Sequence, residues 1–501
     1  MKNFLLSLQK SFSDAVRNNE YFIRLKQKYP RLFALIRRQL SFKEPRGPAF
    51  SIGIILSVIA FIYFLGITQD VLAHDPFVTA DVRIMNLVAA LRTLETAQIL
   101  LFFTYLGNWQ FITSLGIVIL IILWLSGKKR MTIFFFGAVV SGEIIYTVLK
   151  QLLHRTRPDI GYSLIARNGY AFPSGHAVVS LIFYGMIGLF LWKLLKKRWQ
   201  KLTATIAAIT LVFLIGFSRV YLGAHWTSDV VAGWAVGFSI LALFAAYFWE
   251  LEKFNPELKK IMRKSFIVVG FCLLTLEGLF IYFFYRGHPL QIQKPPNRPI
   301  MVAASTFNNL QKTIQDNSFP KFSETLVGQK MEPISFIIVS SKETLKRAFQ
   351  QAGWFVADEQ NANTLYHLVI AAILNQSYPT APVTPSFLNA QPNTIAFEKP
   401  TEAQTVRERH HIRFWLTNFR YDNDPVWVAT ASFDQNIRYF ITHAIRPDID
   451  TEREFIKDEL LKTGNINKTQ EIQLVPRLLG ENQSGNQFFT DGKAYIIIVK
   501  N

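Results

Sequence analysis

Long apolar runs recur through the first 285 positions and then give way to short alternating ones. A bilayer core is crossed by a helix of about 20 apolar residues. Runs near 50–68, 108–126, 131–149, 175–195, 202–217, 228–249 and 265–285 therefore predict seven spans. Between the first two, VRIMNLVAALRTLETAQILLFF (Val82–Phe103) carries too much charge in its first half to span, and predicts a segment at the interface. Beyond the linker the period shortens. MEPISFIIVSSKETLKRAFQQAGWFVAD predicts a strand, a helix opened by a Ser340/Glu343 capping box and ended by Gly353, then another strand. HHIRFWL, DPVWVATASF and KAYIIIVKN predict further strands, and TEREFIKDELLKTG a helix. The fold class expected is mainly α: a polytopic helical membrane bundle followed by a soluble α/β C-terminal domain. The expected divisions are a basic amphipathic segment at 1–49 lying on cytoplasmic lipid, a transmembrane domain at 50–285, a proline-rich linker at 286–300 and the soluble domain at 301–501.

Charge adds a direction to this outline. The chain carries +19, and residues 1–285 hold 31 Lys/Arg against 14 Asp/Glu, whereas residues 286–501 hold 23 against 21. Of those 31 cations, 24 sit in four stretches, 1–48, 128–130, 193–201 and 253–264, which the positive-inside rule places in the cytoplasm. The other seven include Lys150, Arg157 and Arg219, on the opposite side. Cations spread over separate loops do not form one groove, which argues against a nucleic-acid partner. The only cysteine, Cys272, falls in the last expected span, so an outer domain contains no thiol to mispair. FLLSL near the N-terminus is too short for a signal-peptide core, so the first span is expected to act as an uncleaved anchor. No dinucleotide fingerprint, repeat or low-complexity tract is present, and no cofactor is expected.

Three polar clusters interrupt the apolar half: KQLLHRTRP (Lys150–Pro158), PSGH (Pro173–His176) and SRVYLGAHWTSD (Ser218–Asp229). A phosphoryl group in flight spreads negative charge over its equatorial oxygens, and a site for it needs fixed cations and N–H donors. Lys150, Arg157 and Arg219 supply the cations. Ser174 and Gly175 precede the apolar run AVVSLIFYGMIGLFLW, which puts their N–H groups at a helix N-terminus, where anions bind. His225 and Asp229 are four apart, on one helical face, so the carboxylate can orient the imidazole. His225 is then a candidate nucleophile and His176 a candidate general acid. Charged groups at span ends are also interface anchors, but charged and imidazole groups gathered in ordered spacing point to chemistry.

Lysine, six residues and Arg-Pro; Pro-Ser-Gly-His; Ser-Arg, five residues, histidine, three residues and aspartate: this set resembles the tripartite signature of the type 2 phosphatidic acid phosphatase superfamily. The resemblance implies phosphate contacts from Lys150, Arg157, Ser174, Gly175 and Arg219, acid catalysis by His176, and a phosphohistidine at His225 oriented by Asp229. It implies no metal. AFEKP, RERHHIRFW and IRPDIDTEREF are similar to the LssY C-terminal domain family, which implies a companion of membrane phosphatases and no catalytic assignment. The combined expectation is a membrane lipid phosphatase acting on a lipid phosphate or diphosphate, a polyprenyl diphosphate being favoured over lipid A and phosphatidate. It sits in a bacterial inner membrane with site and C-terminal domain on the outer side, and that domain is a candidate for binding an envelope protein. A lipid phosphotransferase and a non-catalytic lipid-binding protein are the rival classes.

Three further expectations concern residues outside the signature. Glu143 lies seven residues before Lys150 and is expected to neutralise a buried cation or shape the headgroup pocket, and Glu277 is an intramembrane acid with no obvious partner. Gln69–Phe103 is expected to cover the site as a lid or lipid-entry surface. His410, His411, His443, Asp448, Asp450 and Glu454 form a metal or phosphate site if folding gathers them; otherwise RERHH and the acidic helix start are surface and capping features.

Overall fold

The computed structural model describes residues 48–254 and 303–500, apart from short gaps at 74, 160–161, 166–168, 305–306, 317–318, 404, 439–441 and 483–484, with isolated positions elsewhere. The basic segment at 1–49, the proline-rich linker, and the seventh expected span with Cys272 and Glu277 lie essentially outside the described residues.

Among the described residues eight helices build the N-terminal part: α1 (Pro48–Ala73), α2 (Pro76–Ala90), α3 (Leu94–Leu106), α4 (Trp109–Leu125), α5 (Lys129–Leu153), α6 (Gly175–Leu194), α7 (Arg198–Tyr221) and α8 (Thr227–Phe254). Five of them, α1 and α5 to α8, are long and apolar enough to cross a bilayer. α3 and α4 pass the same test only as a pair, bent by 46° at Gly107–Asn108. Six spans are thus counted among the described residues if the bent pair is one span. The expected span at 108–126 corresponds to Trp109–Leu125, and Leu94–Leu106, the apolar second half of the stretch placed at the interface, meets it across the bend. Thr93 caps α3 by accepting the Thr96 N–H, which explains why a new helix starts there.

The bundle packs inward through Phe64, Phe135, Phe172, Ile182, Phe183 and Met186, all nearly inaccessible. Its outer face is apolar too. Ile52, Ile55, Ile59 and Ile62 of α1 are each more than half exposed, a surface suited to lipid and not to water.

The C-terminal part is built on a nine-stranded sheet. Its longer strands are β1 (Phe336–Val339), β2 (Ile395–Pro400), β3 (Arg409–Tyr421), β4 (Asp424–Arg438), β5 (Ile466–Gln473) and β6 (Lys493–Val499), in the order β5-β6-β1-β4-β3-β2. β6 and β1 run parallel, and the other pairs in that path antiparallel. One face buries Phe349, Trp354, Phe397 and Phe414 together with Ile456 of the helix Ile449–Lys462; the other buries Trp415, Val426 and Val428. The expected strands and helices are in place, with one shift. The helix Lys342–Gln351 is capped by Ser341, which accepts from Thr344 N–H, while the Ser340 hydroxyl donates to the Ser341 carbonyl. Choosing between adjacent serines needs the backbone angle, which the sequence pattern does not carry.

Candidate functional site

Four helix ends meet at one end of the bundle. α5 delivers Lys150 in its last turn, α6 begins at Ser174–Gly175–His176, α7 ends at Arg219, and α8 opens with Asp229 in its first turn. The connection between α7 and α8 is tight because Gly223 adopts φ +73°, and a side chain there would strike the Tyr162 carbonyl. That turn presents His225, which is 2% exposed. Six of the eight signature residues therefore lie at helix ends that meet here, and Arg157 and His225 in the connecting loops join them.

His225 Nδ1 lies 3.3 Å from Asp229 Oδ2, and Nε2 lies 3.2 Å from Arg157 Nη1. A guanidinium only donates, so this network assigns the proton to Nδ1 and leaves a lone pair on Nε2. Burial first, and then Arg157, Lys150, Arg219 and His176, push the His225 pKa well below the usual histidine range. The ring is thus neutral at pH 7, with the Nε2 lone pair turned toward the cations. Arg157 is itself aimed by the Ala224 and Gly169 carbonyls at 2.7 and 2.9 Å, and Lys150 Nζ by the Tyr170 carbonyl at 2.8 Å.

The helix start at Ser174 differs from expectation. Its N–H donates to the Asp229 carbonyl at 2.9 Å and is not available to an anion. Among the described residues the fully buried Ser174 hydroxyl has no hydrogen-bond partner, and the same holds for Nε of Arg219. Gly175 is required for a close approach: a Cβ there would come within 2.9 Å of the Tyr146 ring. With the Ser174 N–H engaged, the donors left at this end are its hydroxyl and the first-turn N–H groups of α6, which have no acceptor within their own helix.

Several contributing residues lie outside the signature. Asn108, at the kink between α3 and α4, places Oδ1 2.8 Å from His176 Nε2 and fixes that ring. Thr104 accepts from Arg219 Nη1 at 3.2 Å and meets Ser218 Oγ at 2.6 Å. Arg155, inside the first cluster, donates to Asp229 Oδ1 at 2.6 Å and to Asp81 Oδ2 at 2.8 Å. The polar residues at the Gly-Asn break between two apolar helices were a visible signal for Asn108; nothing in the local pattern singles out Asp81. Glu143 does not meet Lys150, and its side chain hydrogen-bonds Tyr146 instead.

α2, in the segment expected to act as a lid, is wedged between the bundle and the C-terminal part. Arg83 Nη2 donates to Glu324 at 2.6 Å, Asn86 Nδ2 to the Ala390 carbonyl at 2.7 Å, and Thr79 Oγ1 to the Val327 carbonyl at 3.0 Å.

The second residue set does not assemble into one site. His410 Nδ1 meets Glu452 at 2.9 Å, Asp448 caps its helix, Asp450 and Glu454 pair with Arg453, and the His443 side chain is outside the described residues. Among the described residues no three His, Cys, Asp or Glu side chains gather as metal ligands. The surface reading of RERHH also needs correction: Arg409 and His411 are 3% and 1% exposed. Arg409 pairs with Glu398 at 2.7 Å and Asp434 at 3.3 Å, and His411 with Ser432 at 2.7 Å and Asp434 at 3.3 Å.

Comparison with known proteins places both halves. Residues 131–253 match the family model of the PAP2 superfamily, and residues 316–494 match that of the LssY C-terminus. A phosphatidylglycerophosphatase B of Bacillus subtilis is 27% identical over 39% of this chain and 97% of its own length. An undecaprenyl-diphosphatase of Sulfolobus acidocaldarius is 34% identical over 26% of this chain and 57% of its own. A lipid A 1-phosphatase of Rhizobium etli is 32% identical over 26% of this chain and 58% of its own. The chain thus spans nearly all of the first relative and little more than half of the other two.

Proposed function

We propose that this chain, which carries a PAP2 superfamily domain followed by an LssY C-terminal domain, is an integral membrane hydrolase that removes phosphate from a lipid phosphate or diphosphate. One observation carries the reading: His225 offers an unprotonated Nε2 to a cluster of cations while Asp229 holds Nδ1 from behind. In the proposed reaction Nε2 forms a bond to phosphorus as the bond from phosphorus to the leaving oxygen breaks. His176 gives that oxygen its proton. Water then attacks the phosphohistidine, the N–P bond breaks, inorganic phosphate departs, and the water's proton returns to His176. Lys150, Arg157, Arg219, the Ser174 hydroxyl and the α6 N-terminus from Gly175 receive the equatorial oxygens, so that charge stabilisation requires no metal.

For the lipid, the proposal is a polyprenyl diphosphate, because three signature cations can balance a diphosphate at the headgroup level while the chains stay in the bilayer. The printed names of the relatives cover a phosphatidylglycerophosphatase, an undecaprenyl-diphosphatase and a lipid A phosphatase, and lipid A or phosphatidate is the alternative. The proposed setting is the plasma membrane of a bacterium, with site and C-terminal domain both outside. Basic stretches on the opposite side and the grip of that domain on α2 support this. The test is phosphate release by purified full-length protein from polyprenyl diphosphate, lipid A and phosphatidate side by side. The diphosphate should win; a tenfold advantage in kcat/KM for either rival, about 1.4 kcal/mol, would reverse the assignment.

A further inference from the structure

Asp229 is loaded by a cation that is poorly placed to help the nucleophile. Arg155 Nη1 lies 2.6 Å from Oδ1, on the carboxylate whose other oxygen faces His225 at 3.3 Å and accepts the Trp226 N–H at 2.9 Å. Taken alone, Arg155 and Asp229 sum to zero charge, leaving little to stabilise an imidazole that becomes cationic on phosphorylation. A second carboxylate restores the balance. Asp81, 3% exposed, accepts from Arg155 Nη2 at 2.8 Å, from the Ser228 N–H at 2.9 Å and from the Ser228 hydroxyl. Asp81, Arg155 and Asp229 together carry one negative charge, at the first turn of α8, where a carboxylate also suits the helix dipole.

Asp81 does not stand there unaided. Two residues on, Arg83 is clamped by Glu324 through Nη2 and Nε at 2.6 and 3.2 Å, and Gly328, at φ +85°, lets the chain pass so close that a Cβ would lie 2.9 Å from that guanidinium. Asn86 and Thr79 hold the helix to the Ala390 and Val327 carbonyls on the same domain.

We propose that Asp81 is a positioning residue that sets the net charge behind His225, and that the LssY C-terminal domain keeps it in place by gripping α2. The proposal rests on the phosphohistidine reading. Asp81 touches neither His225 nor the signature cations Lys150, Arg157 and Arg219, so its loss should fall on kcat and spare KM.

The experiment compares four full-length proteins on one lipid phosphate: wild type, Asp81→Asn, Asp81→Asn with Arg155→Gln, and Arg83→Ala. Asp81→Asn should lower kcat about tenfold to a hundredfold, as expected for removing one nearby charge, with KM unchanged within about twofold. The double variant should recover kcat to within about tenfold of wild type, because Asp229 again supplies one uncompensated negative charge. In Asp81→Asn the guanidinium of Arg155 keeps Asp229 as its partner, and in the double variant Asp229 keeps the Trp226 N–H, so a thermal melt in detergent run on each variant separates a folding defect from a loss of kcat. Arg83→Ala should show the kcat effect of Asp81→Asn in weaker form. The charge account is overturned if Asp81→Asn matches wild type, or if the double variant falls more than tenfold below wild type; an Arg83→Ala enzyme with wild-type kcat overturns the role of the domain. If wild type itself releases no phosphate, the underlying reading fails, a result distinct from all of these.

Discussion

Two buried clusters in this chain each hold a histidine 3.3 Å from an aspartate, with arginines alongside, yet they are built for different ends. At the bundle end, Lys150, Arg155, Arg157 and Arg219 face two carboxylates, Asp81 and Asp229, and a buried hydroxyl at Ser174 has no partner among the described residues. In the sheet of the C-terminal domain, Arg409 and Arg413 meet three carboxylates, Glu332, Glu398 and Asp434, and Ser432 is bonded to His411. The first cluster has a surplus of positive charge and donors to spare, which is what an arriving phosphate would satisfy. The second lacks that cationic surplus, and its His411 Nε2 meets a hydroxyl where His225 Nε2 meets a guanidinium. A histidine–aspartate contact therefore does not by itself separate the two clusters; the excess of cations around the imidazole does.

The comparison breaks most sharply at its two histidines. His225→Ala should abolish turnover, and Asp229→Asn should cost about 10²–10⁴-fold in kcat while the protein still folds, measured as phosphate release beside a thermal melt in detergent. Full activity in His225→Ala would remove the distinction between the clusters. His176→Gln should cost less on an activated aryl phosphate than on a lipid phosphate, since only a poor leaving oxygen needs the proton; an equal loss on both would take the acid role away from His176.

How far this was readable from sequence differs between the halves for a physical reason. The four-residue spacing did bring His225 to Asp229, although His225 sits in the turn before α8 and not on its face, and long apolar runs announced the spans. The kink at Gly107–Asn108 escaped, because an apolar run gives length but not bend, and with it the contact from Asn108 to His176. Asp81 escaped because its meaning comes from Arg155, more than seventy positions away. In the C-terminal domain, alternating patterns located the strands. Arg409 and His411 looked like surface because charge-rich sequence normally is, and only the sheet register, which sets His411 opposite Ser432 and Glu398, explains their burial.

The smallest effect on catalysis should come from the second cluster, where the readout is stability. Burial lowers the His411 pKa to about 4 against an opposing pull from Asp434, so the folded domain keeps the ring neutral while the unfolded chain protonates it near 6.5. Its contribution is full above pH 6.5 and is lost as the pH falls toward 4, by about 3 kcal/mol. Pulse proteolysis of the full-length protein between pH 7 and 4.5 should show the C-terminal domain weakening, and His411→Gln should flatten that slope while leaving kcat/KM within about twofold. A slope that persists in His411→Gln would place the titration elsewhere.

The phosphoenzyme itself tests the central claim most directly. Full-length protein is mixed with lipid phosphate labelled in the phosphoryl group, quenched within a turnover, digested under alkaline conditions that preserve phosphohistidine, and mapped by mass spectrometry. The account predicts an acid-labile, alkali-stable phosphate on His225, absent from His225→Ala. Label on another residue, or rapid turnover with no label on His225 at any quench time, would contradict it.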